Sequence, residues 1–446
     1  MTDAVLDFLA HVVAALTGLF ADSDALVLAY MFIPFVLFLE LPLNLLIWLG
    51  VLRHYTRQIY AVPTWYPYTP RITCIVTCYA EGYSVQGTVR SLLEQVYPGQ
   101  IEIIAVVDGA DQNRETLQAL RAMEAHVDEY ASRRLVIVPK VPRGGRVSSL
   151  NAGLNLARGE IVMAVDADTS FDNTMAQQAA GHFRDPNVIA MAGSLRVRNW
   201  RQNMLTRFQA LEYMITIHLA KVGLGEFRSI NNISGAFGVF RTEMVRQIGG
   251  WTTGSAEDLD LTLRLKQYFG RHPGFYIPFE PRAIGHTDVP GTVGGLLKQR
   301  LRWDGDLFYM YVRKHRHAFS PRQMGWWNLI IGIWFGMLFQ MVMPILIVLY
   351  TLWLVVVAEP SVVAAAFVVI MGLYAVLTAL LYITALVFIS ERRITDLRLA
   401  WLIPVFPFYA LAVRVWSLVA IVNEWWRHSN QESSMAPWWV LRKSKR

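Results

Sequence analysis

The sequence predicts an α/β domain with a mainly parallel sheet, inserted between two membrane regions. Three observations carry this. The 446-residue chain is 54% hydrophobic with a mean hydropathy of +0.33, too apolar for an ordinary soluble domain. Long apolar runs gather toward the two ends. Between them, from about Arg71 to Arg313, short apolar runs alternate with helix-type stretches, the pattern of a sheet covered on both faces.

At the N-terminal end, residues 4–20 are apolar but carry Asp7 and His11. The run is short for a crossing, so an interfacial helix and a transmembrane one both stay open. Residues 25–52 are long enough to cross a bilayer. Their length and the lack of a small-residue cleavage site argue against a removed leader. Glu40 lies inside this run and needs a partner or a water-filled path. Residues 1–52 contain no Lys or Arg, although the net charge is +7. The basic residues begin at Arg53, which puts the middle of the chain in the cytoplasm by positive-inside logic.

The composition changes near Thr56. ITCIVTCY, IEIIAVVD, RLVIVP and EIVMAVD read as strands, and SVQGTVRSLLEQ and QNRETLQALRAMEAHV as helices. Cys74 and Cys78 lie on the first strand and form no metal or disulfide pattern. Sheets of this kind bind ligands beyond the carboxyl ends of their strands. Three such ends are polar: Tyr79-Ala-Glu81, Asp108-Gly109 and Asp166-Ala-Asp168.

After His315 the chain turns apolar again. Trp326–Val357 is interrupted by Pro344, Ser361–Ser390 follows, and ERRITDLR forms a basic loop. Leu399–Val422 holds Pro404, Pro407 and Arg414, which favours a broken or re-entrant helix. The expected divisions are a membrane region at 1–55, a cytoplasmic domain at 56–315, a transmembrane region at 316–427 and a basic cytoplasmic tail at 428–446. The tail SSMAPWWVLRKSKR reads equally as a gate or a lipid-facing anchor.

D-x-D occurs four times. Asp22/Asp24 read as a solvated loop. Asp166/Asp168 follow a strand directly, where two carboxylates can hold Mg2+ or Mn2+ on a diphosphate or form an acidic turn. Glu257, Asp258 and Asp260 open a helix, where acids complement the helix dipole; a general base is the functional alternative. Asp304/Asp306 read as a solvated helix face. In QRLRW, Arg300 and Arg302 suit phosphate and Trp303 suits a sugar face; a buried interface helix is the alternative. RGGRVSSLNAGLNLARGE suits a diphosphate at a helix N-terminus. Neither a P-loop nor a G-x-G-x-x-G dinucleotide signature is present. Asp172 reads as the N-cap of the helix after VDADTSFD.

In this order, VTCYAEG (76–82), VVDG (106–109), SLNAGLNLARG (149–159), DAD (166–168), SGAFGVFR (234–241), AED (256–258), TDVP (287–290) and QRLRW (299–303) resemble the family 2 membrane glycosyltransferases. These include cellulose, chitin, hyaluronan and poly-N-acetylglucosamine synthases. The size, the QRLRW form and the short tail come nearest to bacterial poly-beta-1,6-N-acetylglucosamine synthases.

The resemblance implies a GT-A (Rossmann-like) domain in a multi-pass protein of the bacterial inner membrane. It implies an inverting enzyme that polymerises a β-linked glycan from a UDP-sugar, with UDP-N-acetylglucosamine first, and exports it. Glucan, chitin or hyaluronan synthesis, a non-processive lipid-carrier transferase and a catalytically silent binding subunit are the alternatives. Tyr79 and Glu81 would line the uridine pocket with Asp108 at the base or ribose. Asp168 with Asp166 would bind Mg2+ or Mn2+. Asp258 would be the base, with Glu257 beside it contacting substrate. Gln299, Arg302 and Trp303 would bind pyrophosphate and acceptor. Partners would be the donor, the glycan acceptor, membrane lipid and a small accessory membrane subunit, with no nucleic acid. Two departures stand out. Val107 replaces the first acid of the V-D-D-G segment, and Arg146 and Ser149 replace the usual Lys and Ala of G-K-x-x-A-L-N. Arg146 keeps the charge for phosphate contact. The 19 residues from His428 are too few for a cyclic-dinucleotide-binding domain.

Overall fold

The structure, a computed structural model, describes residues 2–21, 39–60, 68–252 and 255–427. The first half of the expected crossing at 25–52, the Asp22/Asp24 pair and the 428–446 tail lie outside the described residues.

In chain order the elements are α1 (Thr2–Ala21), α2 (Leu41–Ile59), β1 (Ile72–Cys78), α3 (Val85–Leu93), β2 (Ile101–Asp108), α4 (Arg114–Val127), β3 (Arg133–Lys140), α5 (Gly145–Leu156), β4 (Ile161–Asp166), β5 (Ser170–Phe171), α6 (Met175–His182), β6 (Ala190–Val197), α7 (Met204–Tyr213), α8 (Ala220–Glu226), β7 (Phe237–Arg241), α9 (Thr242–Gln247), α10 (Glu257–Lys266), β8 (Phe279–Thr287) and α11 (Val293–Phe308). Three long apolar helices follow: α12 (Trp326–Val357), α13 (Pro360–Phe388) and α14 (Phe406–Arg427). Each is long and apolar enough to cross a membrane.

The four strands expected from sequence are β1 to β4, and they pair in parallel in the order β3-β2-β1-β4. The other half of the sheet departs from a parallel pattern. β7 runs antiparallel to both β4 and β6, β8 is parallel to β6, and β5 is antiparallel to β8. The fold is therefore a mixed α/β sheet.

Alternation along the strands divides two apolar layers. Ile75, Ile104, Val106, Val162 and Ala164 face one side, against α5 and the membrane-side helices. Cys74, Val76, Ile103, Ala105, Met163 and Val165 face the other, under α3, α4 and α6. Both cysteines are buried and unbonded.

Register sets the site. Cys78 pairs with Val107 and Thr77 with Asp166, so the polar ends of β1, β2 and β4 leave the sheet at one edge. α2 is fixed to the domain by backbone contact. A Cβ at Gly50 of α2 would stand 2.1 Å from the Gly223 carbonyl oxygen of α8, so only glycine permits the crossing. Just beyond it, the Glu226 carboxylate meets His54 and Arg57, each at 3.0 Å.

Pro344 does not break α12; the helix passes through it after a π-type stretch at Gly332–Val342. The last apolar run, Leu399–Val422, is broken near its start, as expected of a run holding Pro404 and Pro407. A 3-10 turn at Ala400–Leu402 makes the break, and Pro407 sits in the first turn of α14, where its missing N–H costs no helical bond. Glu40 and Arg414 do not pair directly. Tyr374 Oη donates to Glu40 at 2.8 Å, and Arg414 Nη1 donates to the Phe339 carbonyl at 2.7 Å.

Candidate active site

At the end of β1, Tyr79 is 40% exposed and the Arg143 guanidinium lies 4.0 Å from its ring centroid. The Tyr79 amide donates to the Glu81 carboxylate across Ala80, which adopts φ 63°. Burial pushes the Glu81 carboxyl up, and the Asp168 charge adds to this.

At the end of β2, Asp108 is buried. Its two oxygens accept from the Gly144 and Gly145 amides at 2.8 and 2.7 Å, and Lys140 Nζ stands at 2.6 Å. Gly145 reaches this position at φ 79°, a conformation glycine adopts without strain. A carboxylate thus satisfies the positive end of α5. The diphosphate expected at this helix start would meet amides already filled.

Asp166 and Asp168 leave β4 differently. Asp166 pairs with Arg146, whereas Asp168 is exposed and, among the described residues, accepts only a 3.3 Å contact from Thr169 Oγ1. Asp172 is not a helix cap. α6 begins at Met175 after Thr174, and the Asp172 carboxylate pairs with His286 Nε2 at 2.8 Å. The tertiary partner outcompetes local capping.

Arg146 gathers these parts. Its Nε donates to Glu257 at 2.5 Å, Nη1 to Thr77 Oγ1 at 3.0 Å and Nη2 to the Gly235 carbonyl at 2.6 Å, besides the Asp166 pair. One buried, forked cation joins β1, β4, the loop before β7 and the start of α10.

The α10 start carries three acids with separate surroundings. Glu257 belongs to Arg146. Asp260, fully buried, is held by Thr252, Arg264, Lys314 and His315. Asp258 accepts from the Gly235 amide at 2.9 Å and the Leu259 amide at 2.7 Å. Burial, then the neighbouring Glu257 charge, pushes the Asp258 carboxyl up. That is the direction a general base near neutral pH requires.

On α11, Trp303 packs at the rim of the outer apolar layer with Arg300 4.9 Å from its ring centroid. Arg300 turns away from the sheet ends to Glu212, at 2.6 Å. Gln299 Oε1 is buried and has no hydrogen-bond partner among the described residues. Asp304 and Asp306 correct the expectation of a solvated face. Asp304 accepts from Ser417 of α14 at 2.7 Å, and Asp306 is buried against Ser255. Sequence reading also passed over Lys221 of α8. Burial of its ammonium lowers Lys221 to about 8, against the pull of the Asp258 charge. Nothing in the apolar stretch around it signals this.

A family model described as glycosyltransferase like family 2 matches residues 70–305, more than half the chain. The chain belongs to glycosyltransferase-like family 2. A poly-beta-1,6-N-acetyl-D-glucosamine synthase of Staphylococcus epidermidis is 32% identical over 234 residues, covering 52% of this chain and 53% of the relative. One from Staphylococcus aureus is 31% identical over the same length and coverage. The match therefore spans about half the length of these curated relatives. A mannosyltransferase from Pyrobaculum calidifontis, solved with GDP-Man and Mn2+, is alike in fold. Its TM-score is 0.53 over 86% of this chain and 97% of its own, at 18% identity. The fold is GT-A.

In this family 2 chain, the donor set at the β4 end limits what metal chemistry fits. Among the described residues no group of three His, Cys, Asp or Glu is arranged to hold a metal ion. Asp168 offers an exposed carboxylate and Asp166 one shared with Arg146. Such a sparse set fits a hard cation that takes its other ligands from water and a substrate diphosphate.

Proposed function

We propose that this family 2 chain transfers sugar from UDP-N-acetylglucosamine to a growing β-linked glycan. The reaction would occur at the cytoplasmic face of a bacterial inner membrane, and the product would be exported. The carrying observation is the Arg146 cross-link, which draws the Asp166–Asp168 strand end and the Glu257–Asp258 helix start to one edge. The named activity of the staphylococcal relatives supports the donor and the linkage.

Asp258 accepts the proton of the acceptor hydroxyl as its oxygen attacks the anomeric carbon. The bond from that carbon to the diphosphate oxygen breaks, and its electron pair leaves on UDP. A single displacement with one base inverts the α-linked donor to a β-linkage. The sugar carries oxocarbenium character, as in glycoside hydrolysis. Asp168 with Asp166 would hold a Mg2+ or Mn2+ ion, which would supply neutralisation of the leaving diphosphate. Arg302 adds fixed positive charge, Gln299 contacts the pyrophosphate, and Trp303 stacks on the acceptor. Tyr79, Glu81 and Asp108 serve the uridine side. Glu257 sets Arg146, which in turn holds Asp166.

The proposed divisions are a membrane region at 1–55, the catalytic domain at 56–315, the spans at 316–427 and the tail at 428–446. Export draws support from polar contacts strung along the apolar helices: Glu40 with Tyr374, Arg414 with the Phe339 carbonyl, and Ser417 with Asp304. Polar groups at membrane depth are expensive and mark paths. Membranes carrying the chain, incubated with a panel of UDP-sugars, test the reading. A polymer made from UDP-N-acetylglucosamine supports it. Product from another donor alone, or a single sugar on lipid, overturns the donor or the polymerase assignment.

A further inference from the structure

Asp306 lies one turn beyond Trp303 on α11, on the helix face shared with Arg302. It is 6% exposed, and its Oδ1 accepts a hydrogen bond from Ser255 Oγ, itself buried. Ser255 immediately precedes Ala256, which stands at φ 50°, ψ 42° as the N-cap of α10. A non-glycine residue in the left-handed region is strained and persists where its surroundings hold it there. This turn aims Asp258. On one side Gly235 grips Asp258 and Arg146 grips Glu257. On the other side the grip comes from Ser255 and Asp306.

We infer that Asp306 is a positioning residue that ties the acceptor-binding helix α11 to the turn carrying the base, acting through Ser255. The inference rests on the proposed role of Asp258. Its consequence is that the Trp303 side and the base move as one unit, so an acceptor hydroxyl is delivered at a fixed distance from Asp258.

The charged groups facing Asp306 are Arg302 on its own helix, Tyr309 just beyond it, and Glu257 and Asp258 from α10. Burial pushes the Asp306 carboxyl up to about 7, with the Glu257 and Asp258 charges adding to burial against the pull of Ser255 and Arg302. Ionised, Asp306 takes a charge-assisted bond from Ser255, stronger than the neutral form takes. The tether therefore tightens as pH rises through about 7.

The full chain in proteoliposomes, with UDP-N-acetylglucosamine and Mg2+, is assayed as native, Ser255→Ala, Asp306→Ala, the double variant, Asp306→Asn and Asp258→Asn. Ser255→Ala and Asp306→Ala each lower kcat by on the order of 10–100-fold, as a misplaced base would. Donor KM stays within about two-fold. The double variant is no slower than the slower single, the signature of one shared interaction. Asp306→Asn keeps an oxygen for Ser255 and flattens the rise of kcat around neutral pH. Additive losses, or a pH profile of kcat in Asp306→Asn that coincides with the native one, overturn the tether, since the acid limb of Asp258 itself is common to both. Where the alanine variants fail to bind donor and so fail to fold, the Asp306→Asn profile alone decides. No turnover by the native chain, or full turnover by Asp258→Asn, overturns the underlying reading and the inference with it.

Discussion

Arg146 and Glu257 form a buried salt bridge, Nε to Oε1 at 2.5 Å, that fastens the helix after β3 to the helix bearing Asp258. Both side chains are 8% exposed. Removing one partner of such a pair leaves a charge in low dielectric, a loss of roughly 3–5 kcal/mol. Arg146→Ala should therefore lower the unfolding midpoint as well as turnover. Arg146→Lys keeps the charge but cannot bond Glu257, Thr77 and Gly235 together. It should retain more stability than the alanine variant while losing transfer by about ten-fold or more. Thermal unfolding alongside an initial-rate assay separates the two effects.

Asp258 sets the acid limb of the rate profile. A base works deprotonated, so kcat falls as pH drops through its pKa. Burial and Glu257 raise that pKa above the ordinary aspartate value of about 3.9. The fall in kcat should thus begin at a higher pH than an exposed aspartate would give. Glu257→Gln removes the like charge and should move the limb to lower pH. A limb that does not move in that variant contradicts the electrostatic account of Asp258.

Asp168 is the exposed carboxylate of the β4 end. Asp168→Ala should abolish the gain in donor affinity that Mn2+ confers, seen by calorimetry with UDP-N-acetylglucosamine with and without the metal. The same gain in the variant as in the native chain would remove Asp168 from metal binding.

Trp303 is expected to act on the acceptor rather than the donor. Trp303→Ala should shorten the product, read by mass spectrometry, while donor KM stays within about two-fold. Unchanged product length would leave Trp303 a packing residue.

The parallel half of the sheet was legible because β1, β2 and β4 are runs of β-type apolar residues, and their polar ends named Asp108, Asp166 and Asp168. The register that aligns those ends is not written in any one segment. The mixed half was illegible for a related reason: β6, β7 and β8 gain their direction from partners far along the chain. The acids show the limit most clearly. Asp306 and Asp304 sit in an amphipathic pattern that reads as solvated, yet Ser255 and Ser417 reach them from distant segments. Asp172 has the local chemistry of a cap, and His286 takes it. In the sequence Arg146 reads as a cation for phosphate; its bonds to two acids and a carbonyl emerge only with the tertiary structure in place.

The central claim is that Asp258 drives transfer from a UDP-sugar to a glycan. Purified full-length chain with UDP-N-acetylglucosamine and Mg2+ can be followed by UDP release and polymer formation together, as native and as Asp258→Asn. The account predicts matched UDP and β-linked polymer from the native chain, and a drop of about 10²–10⁴-fold in the variant with donor binding intact. Near-native polymer formation by Asp258→Asn, or UDP release from the native chain without any polymer, would contradict it.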